Sequence, residues 1–160
     1  MLTLPKAFLD QVVAHARRDH PDECCGVIAG KDGVATRVFE MSNAERSPTG
    51  FTFESTEWLR VYREVDDADE ELLAVYHSHT ATEAYPSRTD IGLAMEPNAH
   101  YVLVSTREHG NSEGPVEFRS YRIVDGEVTE EEVAVVDALP AVLITTAHDS
   151  APEPGDPDAR

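Results

Sequence analysis

The chain has 160 residues, 41% of them apolar, enough for one domain with a core of its own. Its 13 basic residues stand against 31 acidic ones, a formal charge of −18, so there is no basic stripe to displace the counterions of a nucleic acid or to hold an anionic membrane surface. No run approaches the roughly 18 apolar residues of a membrane span and no basic-then-apolar leader opens the chain, so a soluble cytoplasmic protein is expected.

Pro5 stands where a first helical turn accepts proline, and Phe8, Leu9, Val12, Val13 and Ala16 follow it at helical spacing. Pro21 ends that helix by pushing the residue before it out of the helical region. CCGVIAG (24–30) reads as a short buried strand, KDG (31–33) as a turn and VATRVFEM (34–41) as a second strand. Cys24 and Cys25 are adjacent, a spacing that rarely closes a strain-free disulfide, and are expected to be reduced, buried thiols.

SNAERSPTG (42–50) has the composition of a loop and FTFE (51–54) reads as a brief strand. Ser55 or Thr56 is expected to cap a helix carrying Trp58, Leu59, Val61, Tyr62 and Val65. After the acidic run DDADEE (66–71), LLAVY (72–76) is a continuous apolar strand, buried on both faces, that empties into His77. A helix is expected from Ser87 to Met95, stopped before Pro97, and then a buried strand over HYVLVST (100–106). VEFRSYRIV (116–124) alternates, and the Asp125–Gly126 turn brings EVTEEEVAVV (127–136) back against it as a hairpin. Residues 1–136 therefore read as one mixed α/β domain around a curved sheet, and the proline-rich, acidic residues 137–160 as a disordered tail.

The chemistry gathers at YHSHTATEAYPSRTD (76–90). Side chains alternate along a strand, so His77 and His79 project to one side and can share one metal ion. Two imidazoles and a carboxylate are a usual catalytic zinc set that leaves a fourth position open for water. Asp90 could be that carboxylate; equally, SRTD (87–90) is a capping box whose acid merely favours a helix start. Hydrolysis also needs a general base outside the ligand set, and Glu23, just before the buried CCGVIAG strand, fits, although a solvated loop acid has the same sequence. Ser87 could donate its hydroxyl to a developing oxyanion, or only cap the helix.

A glutamate (Glu23) followed by H-x-H-x7-S-x2-D (His77, His79, Ser87, Asp90) resembles the JAMM, or MPN-plus, zinc metalloproteases. Thr80 departs from the pattern, since many members have proline there, a change that touches loop stiffness rather than chemistry. HARRDHPDE, NAERSPT, HYVLVSTR and RSYRIVDG look like an actinobacterial branch of that family (the Mec type), with coverage from about residue 10 to 135. The resemblance implies a curved mixed sheet flanked by helices, akin to the cytidine deaminase architecture. It implies one zinc per chain with a bound water, held by His77, His79 and Asp90, with Glu23 as acid/base and Ser87 stabilising the tetrahedral intermediate. The implied substrate is a ubiquitin-like sulfur carrier protein whose C-terminal diglycine bears a cysteine, which the enzyme would release in cysteine biosynthesis. Two other family roles stay open: removal of ubiquitin-like modifiers from lysine, and a non-catalytic binding scaffold. Metal-free scaffolds usually lack ligands, and none is missing here. A thiol enzyme using Cys24 or Cys25 is disfavoured by the acidic DHPDECC setting, which opposes a thiolate.

Overall fold

The structure, a computed structural model, describes residues 1–137. In chain order these form β1 (Leu2–Pro5), α1 (Lys6–Asp19), β2 (Cys25–Lys31), β3 (Val34–Met41), α2 (Ser55–Asp67), β4 (Glu71–His79), α3 (Arg88–Leu93), β5 (His100–Ser105), β6 (Glu117–Val124), β7 (Glu127–Glu131) and β8 (Val133–Val136). A six-stranded sheet runs β3-β2-β4-β5-β6-β7, and β1 pairs with β8 in a separate two-stranded sheet. Within the larger sheet β4 and β5 are parallel and the other neighbours antiparallel. The mixed α/β class read from the sequence is the observed one, with a second small sheet added to it.

The apolar residues divide between the two faces of the large sheet. Val12, Val13 and Ala16 of α1 pack with Ile28, Tyr76, Val102 and Val104, joined by Leu2 and Leu4 of β1. On the other face Val61 and Val65 of α2 pack with Cys25, Val27, Ala29 and Met41, with Phe51, Phe53 and Trp58 along the rim. Alternation along β2 thus feeds two cores at once, and each helix covers one of them. None of the helices among the described residues is long and apolar enough to cross a membrane.

Five expectations change in detail. β1 was not foreseen, because four residues ending in a proline carry little local signal; Pro5 closes β1 and becomes the N-cap of α1 rather than its first helical residue. Residues 51–54 form no named strand, and Phe53 makes a single bridge to Asn43. The cap of α2 is Glu54, whose carboxylate accepts the N–H groups of Thr56 (3.1 Å) and Glu57 (2.8 Å), a role usually filled by shorter polar residues. α3 stops at Leu93, before Met95. The segment 127–136 breaks at Glu132: β7 completes the hairpin with β6, and β8 leaves it to pair in parallel with β1, Leu2 facing Val133. That last partner comes from the far end of the chain, so no local pattern announces it. The tail expected over 137–160 lies, beyond Asp137, outside the described residues.

Candidate metal centre

The C-terminal end of β4 is gripped on both sides. His77 lies opposite Cys25 of β2 and Leu103 of β5. Ser78, between the histidines, accepts the Cys24 N–H on its Oγ (2.8 Å) and donates its own N–H to the Cys24 carbonyl (3.1 Å). Beyond the strand, Thr106 N–H reaches the His79 carbonyl at 3.0 Å. His77 and His79 are buried, at 3% and 7% exposure, and their Nε2 atoms stand 3.2 Å apart.

α3 delivers the carboxylate. Ser87 is the N-cap; its Oγ accepts the Asp90 N–H (3.1 Å) and Asp90 Oδ2 accepts the Ser87 N–H (2.8 Å), closing a capping box. The same Oδ2 lies 3.1 Å from Nε2 of both histidines. The two readings of SRTD therefore hold together: the residues cap the helix, and the cap aims one oxygen at the imidazole pair.

These three atoms form a triangle with sides of 3.1–3.2 Å. Donors about 2.0–2.1 Å from a tetrahedral zinc ion are separated by roughly 3.3–3.4 Å, so the set fits such an ion with little adjustment. The outer contacts agree. His79 Nδ1 donates to the Glu83 carbonyl at 2.9 Å, which leaves its Nε2 lone pair facing inward, the arrangement common among ligating histidines. Phe51 stacks on the His77 ring, centroids 4.5 Å apart, and fixes its plane. Burial draws the His77 pKa down; His79 is also opposed by burial, but the Asp90 carboxylate and the Glu83 carbonyl raise it overall. Asp90 is resisted by burial, yet the two imidazoles and the Ser87 N–H hold its carboxyl far below the usual range.

Glu23 is 3% exposed and not a solvated loop acid. Its carboxylate and the two imidazoles keep one donor atom each within 4.8 Å of one another, a looser spacing than the Asp90 triangle. It thus stands beside the imidazole pair that Asp90 also faces. Burial pushes Glu23 up to about 7 against the pull of His79, with Asp90 and Glu45 adding to the rise, a value suited to a group that takes and gives protons near neutrality. Cys24 and Cys25 are free, fully buried thiols, and burial drives Cys24 to about 12. Burial raises Cys25 as well, and so opposes the thiolate form that a nucleophile needs in both.

A groove of about 750 Å³ opens beside His77, Ser87 and Asp90 and is walled by Ser47, Gly50, Phe51, Trp58 and Met95, among others. Loops 42–50 and 80–86 touch where Thr80 Oγ1 donates to the Pro48 carbonyl (3.1 Å), a bond that the proline common at position 80, having no hydroxyl, could not make. Only the first of these loops lines the groove. The sequence reading missed Phe51, Asn43 and the Glu83 carbonyl. Phe51 carried a faint signal as an apolar residue at the end of a polar loop; a backbone carbonyl carries none.

The fold and the site define a member of the prokaryotic JAB-domain family. Residues 5–124 match the family described as prokaryotic homologs of the JAB domain, and the chain belongs to it. It is 58% identical over 139 residues, 86% of this chain and 92% of the relative, to the CysO-cysteine peptidase of Mycobacterium tuberculosis. To the desampylase of Haloferax volcanii it is 29% identical over 111 residues, 65% of this chain and 80% of that protein. Among solved structures, a protein of Desulfitobacterium hafniense superposes with a TM-score of 0.75 at 32% identity, covering 87% of this chain and 95% of that one. A JAB1/MPN domain protein of Archaeoglobus fulgidus shares the fold at a TM-score of 0.54 and 20% identity, covering 85% and 99%.

Proposed function

We propose that this chain is a zinc-dependent peptidase that hydrolyses the glycine–cysteine amide at the C-terminus of a ubiquitin-like sulfur carrier protein, releasing cysteine. The observation that carries this reading is the triangle of His77, His79 and Asp90, 3.1–3.2 Å on a side, with buried Glu23 beside it. The choice of substrate is supported by 58% identity, over 86% of the chain, to a relative named for that activity.

His77, His79 and Asp90 would hold one zinc per chain, which when bound supplies a Lewis acid that polarises the scissile carbonyl and lowers the pKa of a water towards about 7. Glu23 takes a proton from the attacking water and hands it to the cysteine amine, so that the C–N bond breaks with a neutral leaving group. Ser87 spends a lone pair on the Asp90 N–H, and its hydroxyl hydrogen is left to meet the carbonyl oxygen as charge develops there. The diglycine suits the groove lined by Ser47 and Gly50 of loop 42–50 and by Thr89, Leu93 and Met95 of α3 and its end, since glycine lets two backbones approach closely and an extended tail can add along an edge. The catalytic unit in this reading is residues 1–136, which hold every residue given a role here.

The test is hydrolysis of a carrier–cysteine conjugate with metal content measured alongside. About one zinc per chain, release of free cysteine and loss of turnover with a chelator are expected. Metal-dependent cleavage of lysine-linked conjugates alone would replace this reading with an isopeptidase; metal-independent turnover would end it.

A further inference from the structure

Glu23 lies two residues before the first paired residue of the sheet ladder, since the pairings of β2 with both β3 and β4 begin at Cys25. Its backbone is held instead by the loop that joins β3 to α2. The Glu23 N–H donates to the Ser47 carbonyl (2.9 Å), and the Glu23 carbonyl accepts from Asn43 Nδ2 (3.0 Å). Asn43 is buried and its amide is fully engaged. Nδ2 also donates to the Gly50 carbonyl (2.9 Å), while Oδ1 accepts the N–H groups of Glu45 (3.0 Å) and Thr52 (3.1 Å). An amide offers two N–H donors and two acceptor lone pairs, so all four are used. Two carbonyls on one side and two N–H groups on the other fix which end is nitrogen. The loop so organised presents Ser47, Gly50, Phe51 and Thr52 to the groove beside His77.

We infer that Asn43 is a positioning residue that ties the groove-facing loop to Glu23, so that the segment meeting the substrate also aims the base. The role of Glu23 in this statement rests on the peptidase reading above. On its strand side the same stretch is fixed by Ser78 through Cys24; on its loop side the ties are Asn43 and Ser47. Asparagine alone supplies this geometry. Aspartate has the shape but no donor for the two carbonyls, and glutamine is one methylene too long. Displacing a reacting group by about 1 Å can cost on the order of 10²-fold in rate, which is the scale expected when this tie is cut.

The experiment is Asn43→Asp in the full, zinc-loaded chain, with two readouts. In amide hydrogen exchange the Glu23 N–H should exchange at least about tenfold faster, while the ladder amides of β2 and β4 keep their protection. In kinetics on the carrier–cysteine conjugate, kcat should fall about 10²-fold with KM changed less than about threefold and zinc content unchanged. Added to Glu23→Gln, the substitution should cost nothing further, because the group it aims is already gone. Unchanged Glu23 exchange, or a kcat loss that adds in full to that of Glu23→Gln, overturns the inference. If the wild-type chain cleaves no carrier conjugate, the peptidase reading fails, and the exchange arm still decides whether Asn43 holds Glu23. Should the aspartate variant not fold, Asn43→Ala, which adds no charge, takes the same two readouts.

Discussion

Adjacent residues of β4 place their rings on opposite faces of the sheet, and the two surroundings differ in kind. Tyr76 points towards α1, where its hydroxyl meets His15 Nδ1 at 2.8 Å and His15 Nε2 meets Asp19 at 3.2 Å. The ring fills the space over Gly26 so tightly that a Cβ there would lie 2.3 Å from it. Every polar atom of that pair has one partner, and the burial is closed. His77 points the other way, where two imidazole nitrogens and a carboxylate oxygen crowd within 3.1–3.2 Å of one another. Both faces hold a buried histidine, so burial does not mark the chemistry. What marks it is several lone pairs aimed at one point, which only a cation or shared protons can reconcile.

That contrast is broken most severely on the open face. His77→Ala should take zinc from about one ion per chain to near none and turnover to background, read by metal analysis and conjugate hydrolysis together. Glu23→Gln sharpens the point, because it should keep the metal yet lose about 10²–10⁴ in kcat; a variant that cleaves normally removes Glu23 as the base. On the closed face the effects are on stability. Tyr76→Phe strands a buried imidazole nitrogen and should cost about 1–3 kcal/mol in chemical denaturation while metal content stays at the wild-type level. Burial also holds His15 below its ordinary value of 6.5, against the pull of Asp19. Between 6.5 and its lower folded value, the unfolded chain binds the proton that the folded chain refuses. Stability should therefore fall as pH drops through that window, and part of the slope should vanish in His15→Gln. The smallest effect belongs to the thiols: Cys24→Ala and Cys25→Ala should each keep turnover near the wild-type rate, and abolished turnover in either would reopen the thiol chemistry.

Much of this was legible in the sequence for a physical reason. β4 and β5 are nearly continuous apolar runs, as strands buried on both faces must be, and the strand period placed His77 and His79 on one side without any knowledge of the sheet. Asp90 was legible as a helix-start acid, and the same four residues raised the ligand role that its approach to both imidazoles supports. Elements whose cause is distant were not. β8 exists because β1 is there to pair with it, and the role of Asn43 depends on carbonyls 20 residues upstream and seven downstream. Glu54 was missed for a different reason: its cap is local, but a long carboxylate seldom folds back onto its own helix start.

The single Asp90 oxygen that closes the capping box and faces both imidazoles has a consequence for how such a chain can change. Its bond to the Ser87 amide needs no ion, so the first turn of α3 survives the loss of chemistry. A descendant that shed a histidine would keep its shape and its groove, and could be retained for what it grips rather than for what it cuts.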